Sequence, residues 1–199
     1  MEKIKLQING KPVGAEEGMT ILQAARKADI DIPTLCYNEN MTPYGACRIC
    51  MVEIGQGNKT RLVASCVYPV EDNLIVKTES ERVVRARRMI LELLLPLCPT
   101  GPVETLAKKY GIVKSRFPGE NTGCILCGLC VRYCAEVKKA NAIGFIGRGV
   151  DRDVAFLPEV APEVCATCRE CFTLCHGGRL ARENLAGPWV PVALKKTAR

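Results

Sequence analysis

One cysteine pattern occurs twice in the second half of the chain. It reads C-x2-C-x2-C-x3-C, first within CILCGLCVRYC and later within CATCRECFTLC. Its members are Cys124, Cys127, Cys130 and Cys134 in the first copy, and Cys165, Cys168, Cys171 and Cys175 in the second. Three thiolates at this spacing can surround one face of a [4Fe–4S] cubane, because the loop curls around it. Two copies with identical internal spacing predict two such clusters in one ferredoxin-like domain.

The fourth cysteine of each copy is expected to serve the other cluster, as it does in two-cluster bacterial ferredoxins. One cubane would be held by Cys124, Cys127, Cys130 and Cys175, and the other by Cys165, Cys168, Cys171 and Cys134. Ala135 and His176 stand where proline commonly follows the fourth cysteine. These departures could tune the cluster potentials or partner contacts without removing a ligand.

The first half of the chain contains a different cysteine spacing, C-x10-C-x2-C-x15-C. Its members are Cys36, Cys47, Cys50 and Cys66. Four soft thiolates can hold a [2Fe–2S] cluster, and the loop around Gly45 can wrap it with amide groups directed at sulfur. The spacing differs from the plant-type C-x4-C-x2-C. We predict one [2Fe–2S] cluster here, and we expect the thirteenth cysteine, Cys98, to be a buried spare thiol.

Zinc, disulfide bonds and haem are competing explanations for the cysteines. The N-terminus, MEKIKLQINGKPVG, lacks the apolar core of a secretory signal, which predicts a cytoplasmic location and reduced thiols. Zinc usually takes paired C-x2-C knuckles, and in the first half only Cys47 and Cys50 form such a pair. His176 follows Cys175 at the wrong spacing for haem attachment, and we expect it at the surface or near a cluster.

The formal charge of +7 raises the possibility of nucleic-acid binding. The 28 basic residues are spread along the chain, with Arg85, Arg87 and Arg88 as the densest group. Three oxidised clusters of about −2 each, thiolates included, would bring the loaded protein to roughly +1. We therefore predict no nucleic-acid partner, and a zinc-dependent nucleic-acid-binding module stays as the less favoured alternative.

Apolar runs in the sequence fall short of the roughly 20 residues of a membrane span, so no direct membrane insertion is predicted.

The residues around the cysteines predict an α+β fold. Alternation in KIKLQI, the Asn9-Gly10 turn, a helix capped by Thr20 and strands at 49–54 and 74–78 indicate a β-grasp domain over residues 1–79. The segment ESERVVRARRMILELLL predicts a connector helix, and a second short helix completes a connector over 80–113. Residues 114–186 would form the two-[4Fe–4S] ferredoxin-like domain. Residues 187–199 would be a tail, either a docking arm or a floppy terminus.

The chain resembles the iron–sulfur (diaphorase) subunit of NAD-coupled hydrogenases and the N-terminal region of the large iron–sulfur subunit of complex I. The resemblance covers residues 1–186 and rests on YGACRICMVEI, ASCVYPV, the connector segment and CILCGLCVRYC with its repeat. It implies an electron-transfer subunit between a flavin-containing NAD(H)-reacting subunit and a catalytic hydrogenase or formate dehydrogenase. The family typically has a further [4Fe–4S] site, ligated by one histidine and three cysteines, after the connector helix. Here LLPLCPTGPVETLAKKYGI contains Cys98 and no histidine, so we expect that site to be absent.

Neither a nucleotide-binding loop nor a catalytic constellation is found in the sequence. There is no G-x-G-x-x-G or Walker A pattern, and the single histidine follows a predicted cluster ligand. We therefore expect the chemistry to belong to partner subunits, with this chain not a self-contained enzyme. A free-standing polyferredoxin-like carrier is the main alternative, although such carriers tend to be acidic and compact. The iron–sulfur subunit of succinate dehydrogenase is another, but its first cysteine spacing differs.

Overall fold

The computed structural model describes residues 3–56 and 59–184, so the predicted tail over 187–199 lies outside the described residues. Strands and helices are mixed, as predicted for an α+β fold. The strands are β1 (Lys3–Ile8), β2 (Lys11–Glu16), β3 (Met51–Gln56), β4 (Lys59–Ala64), β5 (Ile75–Lys77), β6 (Ile143–Ile146) and β7 (Asp153–Phe156). The helices are α1 (Ile21–Lys27), α2 (Glu81–Leu94), α3 (Gly101–Lys109), α4 (Leu129–Arg132), α5 (Ala161–Thr167), α6 (Glu170–Thr173) and α7 (Arg179–Asn184).

The N-terminal part is a five-stranded sheet in the order β2-β1-β5-β3-β4. Strand β1 pairs with β2 in antiparallel fashion and with β5 in parallel fashion, and β5 also pairs with β3. The predicted hairpin turn is present, because Asn9 and Gly10 both adopt positive φ, at 53° and 79°. These strands and α1 make up the predicted β-grasp arrangement.

Helix α1 covers the inner face of this sheet. Thr20 accepts a hydrogen bond from the backbone N–H of Gln23, whose side chain accepts one from the N–H of Thr20, which completes a capping box. The helix ends at Lys27, earlier than the apolar pattern suggests, and Asp29 turns the chain with a φ of 54°. Ile21 and Leu22 are fully buried against the sheet, so burial of one apolar helix face holds the domain together.

Strand β4 is absent from the sequence-based prediction. Its exposed residues include Lys59 and Arg61, which weaken the alternation that marks a strand. It forms because all six of its residues pair with β3 in antiparallel fashion; Gly55 of β3, opposite Thr60, has a φ of +109°. A β-carbon at Gly55 would lie 2.2 Å from the backbone oxygen of Lys59, so the hairpin needs glycine there.

The predicted connector helix is α2. Ser80 caps it by accepting a hydrogen bond from the N–H of Val83, and the helix ends just before Pro96. Helix α3 packs beside it and buries Val103 and Ala107. None of the helices in the described part of the chain combines the length and apolar character that crossing a bilayer requires.

The C-terminal part surrounds a short antiparallel pair, β6 and β7. Helix α4 continues into a widened π-turn over Tyr133–Val137, which contains Cys134. The helices α5, α6 and α7 follow β7 and pack around the same pair. Ala142, Val154 and Leu180 are among the buried residues that form the small core of this part.

Candidate functional site

The four cysteines of the first half come together beside the N-terminal sheet. Cys36 follows α1, Cys47 and Cys50 lie in the turn before β3, and Cys66 follows β4. All four are buried. The N–H of Cys47 donates to the Sγ of Cys36 over 3.3 Å, and positive φ values at Gly45 and Arg48 let the loop curl around the group. We call these four residues the N-terminal cysteine site.

The thiols of this site interact in two pairs. Hydrogen bonding from the Cys47 thiol, helped by the N–H groups of Cys47 and Ala46, lowers the pKa of Cys36 to about 6 despite its burial. Hydrogen bonding from the Cys66 thiol likewise lowers the pKa of Cys50 to about 6. The same bonds, together with burial, raise the pKa values of Cys47 and Cys66. These hydrogen bonds thus favour the thiolate form, which is the form that ligates a metal, at two of the four sulfurs.

A second group of cysteines lines a cavity between α4 and the start of α7. The members are Cys124, Cys127, Cys130 and Cys175. The N–H of Leu126 donates to the Sγ of Cys124 over 3.4 Å, and positive φ at Leu126 and Gly128 bends the loop around the cavity. Burial raises the pKa of Cys127 to about 12. We call this group the first cavity.

A third group lines a separate cavity, which is bounded by Ile143 of β6 and Phe156 of β7. Its members are Cys134, Cys165, Cys168 and Cys171. The N–H of Ala142 donates to the Sγ of Cys134 over 3.2 Å. Burial raises the pKa values of Cys165 and Cys171 to about 11 and about 12. In this second cavity, as in the first, three cysteines of one sequence copy meet the fourth cysteine of the other.

The donor chemistry of the three groups suits iron–sulfur clusters. Each group presents four thiols, and in each at least one backbone N–H is directed at a sulfur. Within residues 3–56 and 59–184, no three His, Cys, Asp or Glu side chains lie close enough together to hold one metal ion. Cluster ligands do not need that geometry, because each cysteine of a cubane binds a different iron. Ligation by the twelve cysteines stays a prediction.

The three groups follow one another through the interior. Cys36 and Cys47 share a hydrophobic core with Cys98, and Cys127 of the first cavity packs against that core. The Cys36 thiolate is close enough to help raise the pKa of Cys127, after the larger effect of burial. Cys171 of the second cavity acts in the same way on Cys130. The first cavity therefore lies between the N-terminal cysteine site and the second cavity.

The sequence did not predict that two arginines near these groups are buried. Arg179 begins α7, lines the first cavity and pairs with Asp153, with Nη2 to Oδ2 at 2.8 Å. Its charge acts on Cys124, lowering that thiol's pKa against the larger effect of burial. Arg132 ends α4 and contacts the loop after Cys36. Nothing in the sequence separates these two from the many exposed arginines, since their partners are distant along the chain.

Cys98 lies beside Gly177, the residue that follows His176. Cys98 is fully buried, as predicted for a spare thiol, and lies outside all three groups of cysteines. His176 is partly buried, and its Nε2 contacts the backbone oxygen of Leu35. His176 thus contacts the residue before Cys36 and itself follows Cys175, and its place near a cluster stays a prediction.

Gly177 is packed so closely that a side chain has no room. A β-carbon there would lie 2.1 Å from the backbone oxygen of Gly123 and 2.8 Å from the Cys98 Sγ. We expect Gly177→Ala to lower the free energy of unfolding by about 1–3 kcal/mol through overpacking. Gly144→Ala is the matched control, since a β-carbon at Gly144 meets nothing within 4 Å. Urea denaturation of both variants checks this, and equal stabilities would contradict it.

Comparison with known proteins gives three findings. Residues 1–81 match the family model described as a 2Fe-2S iron-sulfur cluster binding domain. The chain is 35% identical to the NADP-reducing hydrogenase subunit HndD of Solidesulfovibrio fructosivorans, over 92% of this chain and 37% of that protein. It is 31% identical to the NADH-ubiquinone oxidoreductase 78 kDa subunit, mitochondrial, of Neurospora crassa, over 98% of this chain and 30% of that protein.

A solved structure is also similar. The chain superimposes on a chain of the crystal structure of NAD+-reducing [NiFe]-hydrogenase in the H2-reduced state with a TM-score of 0.68 and 28% identity. The match covers 77% of this chain and 74% of that one. The chain spans only 37% and 30% of the length of the two curated relatives above.

Proposed function

Since this chain belongs to the family that includes the hydrogenase subunit HndD and the 75/78 kDa subunits of complex I, and has a 2Fe–2S domain at its N-terminus, we propose that it relays single electrons within a multi-subunit oxidoreductase. The proposed partners are a flavin-containing NAD(H)-reacting subunit and a catalytic subunit of hydrogenase or formate dehydrogenase type. We propose a cytoplasmic location for this complex.

One observation carries the proposal: twelve cysteines are gathered into three successive groups through the interior of one small chain. We assign a [2Fe–2S] cluster to the N-terminal cysteine site and a [4Fe–4S] cluster to each cavity. When bound, these clusters supply one-electron oxidation and reduction. We keep the proposed division into a domain over 1–79, a connector over 80–113 and a two-[4Fe–4S] ferredoxin-like domain over 114–186.

The chain's own groups support such a relay in two ways. The amide groups of Cys47, Leu126 and Ala142 donate to sulfurs, and hydrogen bonds to sulfur favour the more negative, reduced state of a cluster. Burial of the thiols limits access of water to the sites, which also sets the potential. The residues thus hold the cofactors in place and tune them, while substrate chemistry is left to the partner subunits.

The family's further site with one histidine and three cysteines has no counterpart in this proposal. The segment after α2 forms α3 instead, and α3 buries Val103 and Ala107 in the core that contains Cys98. Apolar packing occupies the region where extra ligands would be expected. We therefore propose that electrons pass between the N-terminal cysteine site and the first cavity without an intervening cluster.

Cofactor content is the first test. After anaerobic purification and reconstitution, we expect about ten irons per chain, from one [2Fe–2S] and two [4Fe–4S] clusters, and a brown protein. A colourless preparation containing zinc would contradict the assignment and favour the zinc-module alternative.

Purification of the native complex tests the proposed partners. A co-purifying flavoprotein supports the proposed role, whereas a chain isolated alone favours the free-standing carrier.

A further inference from the structure

One side chain ties the second half of the molecule to the loop of the N-terminal cysteine site. Arg132 lies between Cys130 and Cys134. Its Nη1 donates to the backbone oxygen of Cys36 over 3.2 Å, and its Nη2 donates to the backbone oxygen of Thr42 over 2.6 Å. These two bonds join segments that are 90 or more positions apart in the sequence.

Glu136 completes the contact from the next turn. Its Oε2 accepts a hydrogen bond from the N–H of Thr42 over 2.7 Å, and its Oε1 accepts one from Nε of Arg132 over 3.3 Å. Both polar groups of the Thr42 backbone are thus bound by the Arg132–Glu136 pair. The guanidinium also lies 5.1 Å from the centroid of the Tyr44 ring. We call these contacts the Arg132 latch.

The burial of Arg132 indicates that its hydrogen bonds to the loop are part of the folded structure and not a chance surface contact. Only 8% of its surface is exposed, and a charge taken out of water is costly unless its donors are satisfied. A lysine could not make the same set of bonds, because its ammonium group lacks the planar fork. His176 contacts the backbone oxygen of Leu35, just before Cys36, so two segments that each carry cavity cysteines bind the start of this loop.

We propose that Arg132 is a positioning residue, which fixes the N-terminal cysteine site against the first cavity and thereby sets the electronic coupling between the clusters held there. The proposal rests on the electron-relay function proposed above. In this role, Arg132 makes its hydrogen bonds to backbone oxygens and to Glu136. It acts on the backbone of the loop that begins at Cys36, so the rigidity of that loop is the quantity that it controls.

Two substitutions distinguish the effect of the hydrogen-bond geometry of Arg132 from the effect of its positive charge. Arg132→Lys keeps the positive charge and loses the fork, whereas Arg132→Gln loses both. Arg152→Gln is the matched control, because that guanidinium lies 4.0 Å from the Phe145 ring within the C-terminal part. Glu136→Ala, which removes the acceptor of the Thr42 N–H, is a milder variant in case the Arg132 variants fold poorly.

The rate of backbone amide hydrogen exchange in the peptide covering residues 36–44 measures how firmly the Arg132 latch holds this loop. We expect exchange at least about tenfold faster in both Arg132 variants and in Glu136→Ala, since each loses hydrogen bonds that hold the loop. The Arg152→Gln variant is expected to exchange like the parent protein. Unchanged exchange in all three latch variants would overturn the proposal.

Electron paramagnetic resonance of the fully reduced protein measures the magnetic coupling between the [2Fe–2S] cluster and the nearer cubane. We expect the spin–spin interaction between the [2Fe–2S] signal and the nearer cubane signal to weaken in both Arg132 variants at full iron content. The potential of the [2Fe–2S] cluster should fall only in Arg132→Gln, which leaves the Glu136 carboxylate unopposed. Unaltered interaction at full iron content overturns the proposal. Absence of clusters from the parent protein would instead defeat the proposed function, while hydrogen exchange still tests the latch.

Discussion

Replacing Cys134 by serine is expected to remove the cubane of the second cavity and to leave the cubane of the first. Cys134 belongs to the first sequence copy, yet it lines the cavity with Cys165, Cys168 and Cys171. Loss of one thiolate ligand of four destabilises a [4Fe–4S] cluster, so iron should fall from about ten to about six per chain. Iron analysis together with cluster-resolved electron paramagnetic resonance measures the result.

The reciprocal substitution, Cys175→Ser, is expected to remove the cubane of the first cavity with a similar loss of iron. Cys98→Ala is the matched control, because Cys98 is buried but belongs to neither cavity, and its iron content should stay at about ten. The crossover would be wrong if Cys134→Ser abolished the first-cavity signal selectively, or if Cys175→Ser abolished the signal of the second.

Replacing Arg87 by methionine is expected to lower the free energy of unfolding by about 3 kcal/mol. Arg87 is fully buried and lies on the inner face of α2. Its Nε donates to the backbone oxygen of Ile49 over 3.0 Å and its Nη2 to that of Met51 over 2.9 Å. Methionine fills similar space but leaves both oxygens without these donors, each at a cost of roughly 1–3 kcal/mol.

Arg85→Met is the matched control on the same helix. The Arg85 side chain is 77% exposed and pairs with Glu81 at the surface, so its loss should change stability by less than about 0.5 kcal/mol. Urea denaturation followed by circular dichroism compares the two variants. Equal stabilities would show that the bonds from Arg87 to the backbone of Ile49 and Met51 contribute nothing net to stability. Because α2 links the two cysteine-bearing parts, a weakened Arg87 anchor should also reduce cluster retention.

The local features of the fold could be predicted from the sequence because their causes are local. The hairpin between β1 and β2 follows from the turn chemistry of Asn9 and Gly10, and α1 begins where Thr20 can cap it. The end of α2 follows from Pro96. Strand β4 could not be found in this way, because its register is set by pairing with β3 rather than by its own apolar pattern.

For the candidate sites, too, some features follow from the sequence and others only from the tertiary structure. Cysteine spacing by itself determined which three sulfurs of each copy lie together, since a short loop limits where successive thiols can point. The exchange of the fourth cysteine was expected from the two-cluster ferredoxin arrangement, and the structure brings those sets of four to two cavities. Only the tertiary structure decided that Arg87 and Arg132 lie inside while Arg85 and Arg88 do not. An arginine is buried when distant backbone oxygens and carboxylates converge on it, and such convergence leaves no periodic trace in the sequence.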